Sequence, residues 1–151
     1  MPIGDICVRN VVTATPDTTI QEAAQLMRVN HVGDLVIVDK PNGHPAVHGI
    51  LTDRDIVVAV VALRLDPMAI TVSDVMNPEL ETVKEDQGIF ETLRQMRSAG
   101  VRRMPVVSQQ GKLTGIVSVD DLIQLLAEEM TELSKPFSRE QRKEARARVS
   151  A

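Results

Sequence analysis

The chain is written twice. Shifted by 69 places, so that Ile20 falls on Ile89, it meets itself at Asp5 and Asp74, Thr13 and Thr82, Asp17 and Asp86, Glu22 and Glu91, and Met27 and Met96. Arg28 and Arg97, Val32 and Val101, and Val38 and Val107 extend the match. Beyond Val38 the shift falls to 66, and Gly49, Ile50 and Asp55 meet Gly115, Ile116 and Asp121. The three extra residues lie in the Pro/Gly stretch KPNGHPAVH (40–48), where a surface loop tolerates insertion. An internal repeat constrains a fold more than any single motif, because each copy must form the same unit.

Each copy predicts the order β-α-β-β-α. An extended stretch comes first, VVTATP (11–16) or LETVKE (80–85). A helix follows, with Ile20, Ala23, Ala24 and Met27, or Ile89, Leu93 and Met96, on one face. Asp17 and Asp86 stand where an N-cap belongs, and His31 and Gly100 mark the helix ends. The strands LVIV (35–38) and MPVV (104–107) are apolar throughout, as strands covered on both faces are. The turns PNG (41–43) and QQG (109–111) lead into AVHGIL (46–51) and KLTGIV (112–117). Helices at 55–65 and 121–130 close the copies. The first of these contains IVVAVVAL (56–63), which needs cover from LIQLL (122–126) or from another chain. The expectation is an α/β (α+β) fold of two repeats, 1–69 and 70–133, related by a pseudo-two-fold axis, then a basic tail at 134–151.

Composition excludes several functions. No apolar run is long enough to cross a bilayer, and the first residues lack the charged and apolar regions of a signal peptide. The single Cys7 allows no internal disulfide, so the expected setting is cytoplasmic. A net charge of −4 and the absence of Trp and Tyr argue against nucleic-acid binding by the body of the chain.

Both copies end on Gly-aliphatic-x-[Ser/Thr]-x-x-Asp: GILTDRD (49–55) and GIVSVDD (115–121). One reading is a capping box, in which the hydroxyl residue caps the helix and the acid three places on reaches back. A second is a ligand corner. Helix-start N–H groups and a hydroxyl would meet a phosphate, an ionised Asp would hold a diol, and Arg54 would add a guanidinium fork. The two readings are compatible.

The duplicated unit and its twice-written closing motif resemble a tandem pair of cystathionine-β-synthase (CBS) domains, the Bateman module, over roughly residues 1 to 130. The resemblance implies a stand-alone regulatory protein and not an enzyme. It implies binding of AMP, ADP, ATP or S-adenosylmethionine between the repeats, no required cofactor, and a homodimer that reports energy or metabolic state to an effector protein. Carried over by position, the first site uses Thr13, Ala14, Leu35, Thr52, Arg54 and Asp55. The second uses Thr82, Val83, Met104, Pro105, Ser118 and Asp121. Arg54 becomes Asp120 in the second copy, so the first site is expected to prefer a phosphorylated ligand. The second is expected to take a nucleoside-like ligand, stay empty, or borrow charge from Arg102 or Arg103. Asp34 either faces the first cleft or pairs with Arg54.

Other readings carry less. His31, His44 and His48 do not form a metal-ligand pattern, so no metal is expected. Cys7, Met27 and Met96 read as core. In the tail, Pro136 is expected to break the preceding helix, Ser138 to cap a new one, and the arginines to be solvated. The rival functions are a structural or stress-associated dimeric scaffold with vestigial sites, a small hydrolase built on His48 and Asp53, and nucleic-acid binding by the tail.

Overall fold

A computed structural model describes residues 1–39, 46–77 and 79–149. The turn at 41–43 and His44 lie outside the described residues. The first repeat contains β1 (Thr13–Ala14), α1 (Ile20–Asn30), β2 (Asp34–Asp39), β3 (Ala46–Thr52) and α2 (Asp53–Ile56), which runs into a π-turn at Val57–Val61. A short α3 (Val72–Val75) leads to β4 (Val83–Lys84), α4 (Ile89–Ala99), β5 (Arg103–Val107), β6 (Leu113–Ser118) and α5 (Val119–Val149). The sheets run β1-β2-β3 and β4-β5-β6, as the repeated element order predicts.

In the first sheet β1 runs parallel to β2, with Thr13 opposite Val36, and β3 returns antiparallel, with Leu35 opposite Leu51. Leu35, Val36 and Ile37 are all fully buried, so β2 is covered on both faces. Side chains alternate along a strand. Ala14, Leu35, Ile37 and Leu51 accordingly enter a core with Ile20, Ala23 and Met27 of α1, while Thr13, Val36, Asp34 and Thr52 take the other face.

The opening segment of each copy belongs to the other copy. Residues 2–9 bridge to the second repeat, Pro2 with Gly88 and Val8 with Ile116. Thr71 and Asn77 bridge to the first, at Thr19 and Ile50. The hydrogen bonds match position for position. Ile3 N donates to Gln87 O at 2.8 Å, and Val72 N to Thr18 O at 2.8 Å. Gly4 N donates to Glu85 O at 2.8 Å, and Ser73 N to Pro16 O at 2.9 Å. This reciprocity is the pseudo-two-fold axis, expressed in backbone bonds.

It also explains the repeated glycines. A Cβ on Gly49 would stand 3.0 Å from Met76 Sδ and 3.2 Å from Asn77 O. One on Gly115 would stand 2.5 Å from Cys7 Sγ and 3.0 Å from Val8 O. Each glycine makes room for the segment crossing from the other repeat. Cys7 is buried there, and burial, more than any neighbouring charge, raises its thiol pKa.

Several local expectations are corrected. Thr19, not Asp17, caps α1: Glu22 N donates to Thr19 Oγ1 at 3.2 Å and Thr19 N to Glu22 Oε2 at 2.9 Å. Gly88, not Asp86, caps α4, and Asp86 instead accepts from Gln109 at 2.7 Å. The helix expected over 55–65 stops near Val61, and Arg64 turns to a left-handed φ of 56°. Its Val60 is buried, but Val57, Val58, Val61 and Leu63 are exposed.

α5 is a unit by itself from Ser118 onward. Pro136 does not break it, and Ser138, expected as a cap, donates to Ser134 O one turn back. The strong helix formers on both sides outweigh the cost of one proline, about 3 kcal/mol. The charges also fit the helix dipole: Asp120 and Asp121 stand in its first turn, Arg146 and Arg148 in its last. Ile123, Leu126, Met130, Leu133 and Phe137 are exposed at alternating spacings of three and four, the pattern of a coiled-coil seam. Among the described residues no helix is long and apolar enough to span a membrane.

Candidate ligand site

The first corner is built where β3 ends and α2 begins. Thr52 N donates to Asp55 Oδ2 at 2.8 Å, and Asp55 N to Thr52 Oγ1 at 3.1 Å. Both residues are half-buried. The second copy repeats the box: Ser118 N reaches Asp121 Oδ2 at 2.9 Å, and Asp121 N reaches Ser118 Oγ at 3.1 Å. The capping reading therefore holds in both copies. Each box uses Oδ2 and keeps Oδ1 of the same carboxylate outside it.

The ligand reading is corrected in one respect, because the N–H groups at the start of α2 are not directed outward. Asp53 N donates to Gly33 O at 2.9 Å, Arg54 N to Asp53 Oδ1 at 2.8 Å, and Asp55 N to Thr52 Oγ1. A phosphate at this corner must be met by side chains.

Thr13, Thr52, Arg54 and Asp55 present surface here, Thr13 and Thr52 on one face of the sheet. Ala14 and Leu35, expected at the site, lie on the opposite face of the sheet in the core, so their side chains do not face the corner. In the second repeat Val83, Met104 and Pro105 are buried and Thr82 is half-buried. Pro105 replaces Val36, whose N–H donates to Val12 O at 3.1 Å. Without that donor β4 begins its ladder one position later, with Val83 opposite Val106.

Asp34 faces the Thr52 side of the sheet and makes an ion pair with Arg103 of the other repeat. Its Oδ1 lies 3.2 Å from Arg103 Nε, and the two are equivalent positions of the repeats, 69 apart. The ion pair joins the copies at their axis. Sequence reasoning assigned Arg103 to the second site, and the signal that would have placed it was that same equivalence.

His48 lies on β3 and Asp53 five residues on, roughly 15 Å along an extended strand, so they form no catalytic pair. His31 is the left-handed C-cap of α1. Among the described residues no three His, Cys, Asp or Glu side chains surround a common point. A groove of about 1020 Å³ runs along α1 past Thr18, Gln21, Gln25 and Val29, and holds none of the corner residues.

Comparison with known proteins agrees with this architecture. The family model of the CBS domain matches twice, at residues 3–62 and 72–128, and the chain belongs to that family. It is 37% identical over 123 residues to the uncharacterized protein MK0525 of Methanopyrus kandleri, covering 82% of this chain and 61% of that protein. It is 36% identical over 124 residues to Hypoxic response protein 1 of Mycobacterium tuberculosis, covering 82% of this chain and 84% of that one. A crystal structure of Hypoxic Response Protein I with two coordinated zinc ions superposes with a TM-score of 0.71 at 34% identity, over 82% of this chain and 98% of that one. The CBS domain pair of protein MJ0100, in complex with 5'-methylthioadenosine and S-adenosyl-L-methionine, superposes with a TM-score of 0.72 at 26% identity, over 85% and 98%.

Proposed function

We propose that this CBS pair is a regulatory protein that binds an adenosine-containing ligand at the Thr52–Asp55 corner. The observation that carries this reading is the half-buried Asp55 carboxylate. It is held by the capping box through one oxygen while the other stays outside it, and the same turn carries the Thr52 hydroxyl and Arg54. An ionised carboxylate held in this way suits the two hydroxyls of a ribose. The adenosine ligands bound by the MJ0100 pair support the same class. Ser118 and Asp121 carry the same box, and we assign them the same role in the second copy, with Asp120 in place of Arg54 disfavouring phosphate. We assign Thr13 to the wall of the first corner; its counterpart by position is Thr82, while Val83, Met104 and Pro105 correspond to Ala14, Leu35 and Val36.

The output is a shape change passed to an effector protein in the cytoplasm, with no chemistry at the site. A ligand that favours one arrangement of the repeats shifts the population toward it. We further propose a homodimer. The exposed seam of Ile123, Leu126, Met130, Leu133 and Phe137 has the spacing that a second copy of α5 would fill. Replacing Leu133 with Asp should convert the dimer to a monomer, read by light scattering after size exclusion. An unchanged mass would remove α5 from the interface.

The ligand itself can be identified directly. The chain has no Trp or Tyr, so a bound adenine would dominate its ultraviolet spectrum. Denaturing the purified protein and analysing the released molecules by mass spectrometry should yield an adenosine derivative. A scaffold with vestigial sites would release none and would bind none when AMP, ADP, ATP or S-adenosylmethionine is added.

A further inference from the structure

α5 carries its charge in two blocks. From Val119 to Leu133 every charged side chain is acidic: Asp120, Asp121, Glu128, Glu129 and Glu132. From Lys135 to Arg148 they are basic, apart from Glu140 and Glu144. The ion pairs Lys135–Glu132 and Arg148–Glu144 within the helix are exposed, and they leave the two halves with opposite net charge. The apolar seam also stops partway. Ile123, Leu126, Met130, Leu133 and Phe137 step by three and four, and the next two places in that series are Glu140 and Glu144.

Two copies can meet along this seam in two directions. In the same direction, a closed two-fold pair sets each seam residue against its own counterpart. Glu140 would face Glu140 and Glu144 would face Glu144. The acidic halves would lie together, as would the basic halves, with the helix dipoles aligned. In opposite directions, a two-fold axis between Met130 and Leu133 sets Leu126 against the partner's Phe137 and Met130 against the partner's Leu133. Each contact is made twice. Glu140 then meets the partner's Ile123 at the end of the seam, so the seam no longer sets acid against acid. The acidic half of each helix lies beside the basic half of the other.

We infer that a second copy docks on the α5 seam in the opposite direction. The inference rests on the reading that α5 is the dimer contact. The apolar residues supply the attraction, and the charge blocks choose the direction. The start of each α5, with its Ser118–Asp121 box, then lies beside the basic tail of the other copy. The second ligand corner and the dimer contact therefore share one helix end.

Disulfide trapping reads the direction, because the bond needs Cα atoms within about 7 Å. Full-length chains carrying Leu126→Cys or Phe137→Cys, with the buried Cys7 replaced by Ala, are produced singly and co-expressed under different tags. In a glutathione redox buffer the mixed pair should crosslink about tenfold more than either chain with itself. Ile123→Cys with Glu140→Cys should behave alike, and this second pair keeps Leu126 and Phe137 in place should their loss loosen the dimer. Self-crosslinking of each chain in preference to the mixed pair would overturn the direction and leave α5 as the contact. A wild-type dimer whose variants crosslink in no combination would overturn the inference by taking α5 out of the interface. A monomeric wild type in light scattering would remove the homodimer reading and this inference together.

Discussion

The two repeats share a backbone plan and differ in how they finish it. The first has a β1–β2 ladder joined by the Val36 N–H, a capped α1 with the Thr19–Glu22 box, and Arg54 beside its closing Asp. The second has Pro105 in place of the Val36 donor, so its β4–β5 ladder starts one position later, an α4 capped by Gly88 without a side chain, and Asp120 beside its closing Asp. The contrast separates what the fold requires from what each copy is free to change. Both copies keep the crossing glycine, the apolar strand and the closing box. They differ in the ladder donor, the helix cap and the charge at the ligand corner.

The ladder gives the largest expected effect. Val36→Pro would remove the N–H that reaches Val12 O and should cost about 3 kcal/mol, whereas Pro105→Val should change stability little, because β4 already pairs without that donor. Denaturant unfolding of the two variants compares them directly, and equal losses would end the claim that the repeats differ here.

The crossing glycines come next. Gly115→Ala would drive a Cβ into Cys7 Sγ and the Val8 carbonyl, and should cost about 2 kcal/mol. Gly49→Ala meets chiefly the flexible end of Met76, and about 1 kcal/mol is expected. The reverse order would show that the segments crossing between repeats do not pack as described.

The smallest effect concerns the caps. Hydrogen bonds from Thr19, the backbone N–H first, hold the Glu22 carboxyl below its usual pKa. A depressed folded pKa gives stability that is present above the unfolded value and lost as pH falls through the folded one. The Thr19 and Glu22 amides should therefore lose exchange protection below about pH 4. Gly88 at the start of α4 has no acidic partner, and its amide should not respond in that range. A common response at both helix starts would erase this difference between the copies.

Much of this was legible in the sequence because duplication supplies its own control. The element order, the apolar strands and the closing Thr52-x-x-Asp55 pattern were each read twice. What escaped depended on partners distant along the chain. Nothing local announces that Val8 pairs with Ile116, yet Gly49 and Gly115 were its trace, since each marks where a backbone passes close. Thr-Ile-Gln-Glu (19–22) carries the capping-box signature, a stronger local signal for the start of α1 than Asp17. Pro136 by itself predicts a break, and the helix formers around it carry α5 through. At the candidate site the closing motif was legible, but the occupied N–H groups were not, since Gly33 O and Asp53 Oδ1 take them only through the folded turn. Asp34 and Arg103 were visible as equivalent positions. Only the fold shows that equivalent positions near the axis can touch.

The central claim is that the closing acids hold adenosine ligands and that the two copies do so unequally. The most direct test is equilibrium titration of AMP and S-adenosylmethionine into stripped wild-type protein, Asp55→Ala and Asp121→Ala, reading affinity and stoichiometry while circular dichroism confirms the fold. The account predicts that Asp55→Ala loses AMP binding about a hundredfold or more, while Asp121→Ala retains it. Folded wild-type protein that binds neither ligand, or AMP binding untouched by Asp55→Ala, would contradict it and return both motifs to helix caps alone.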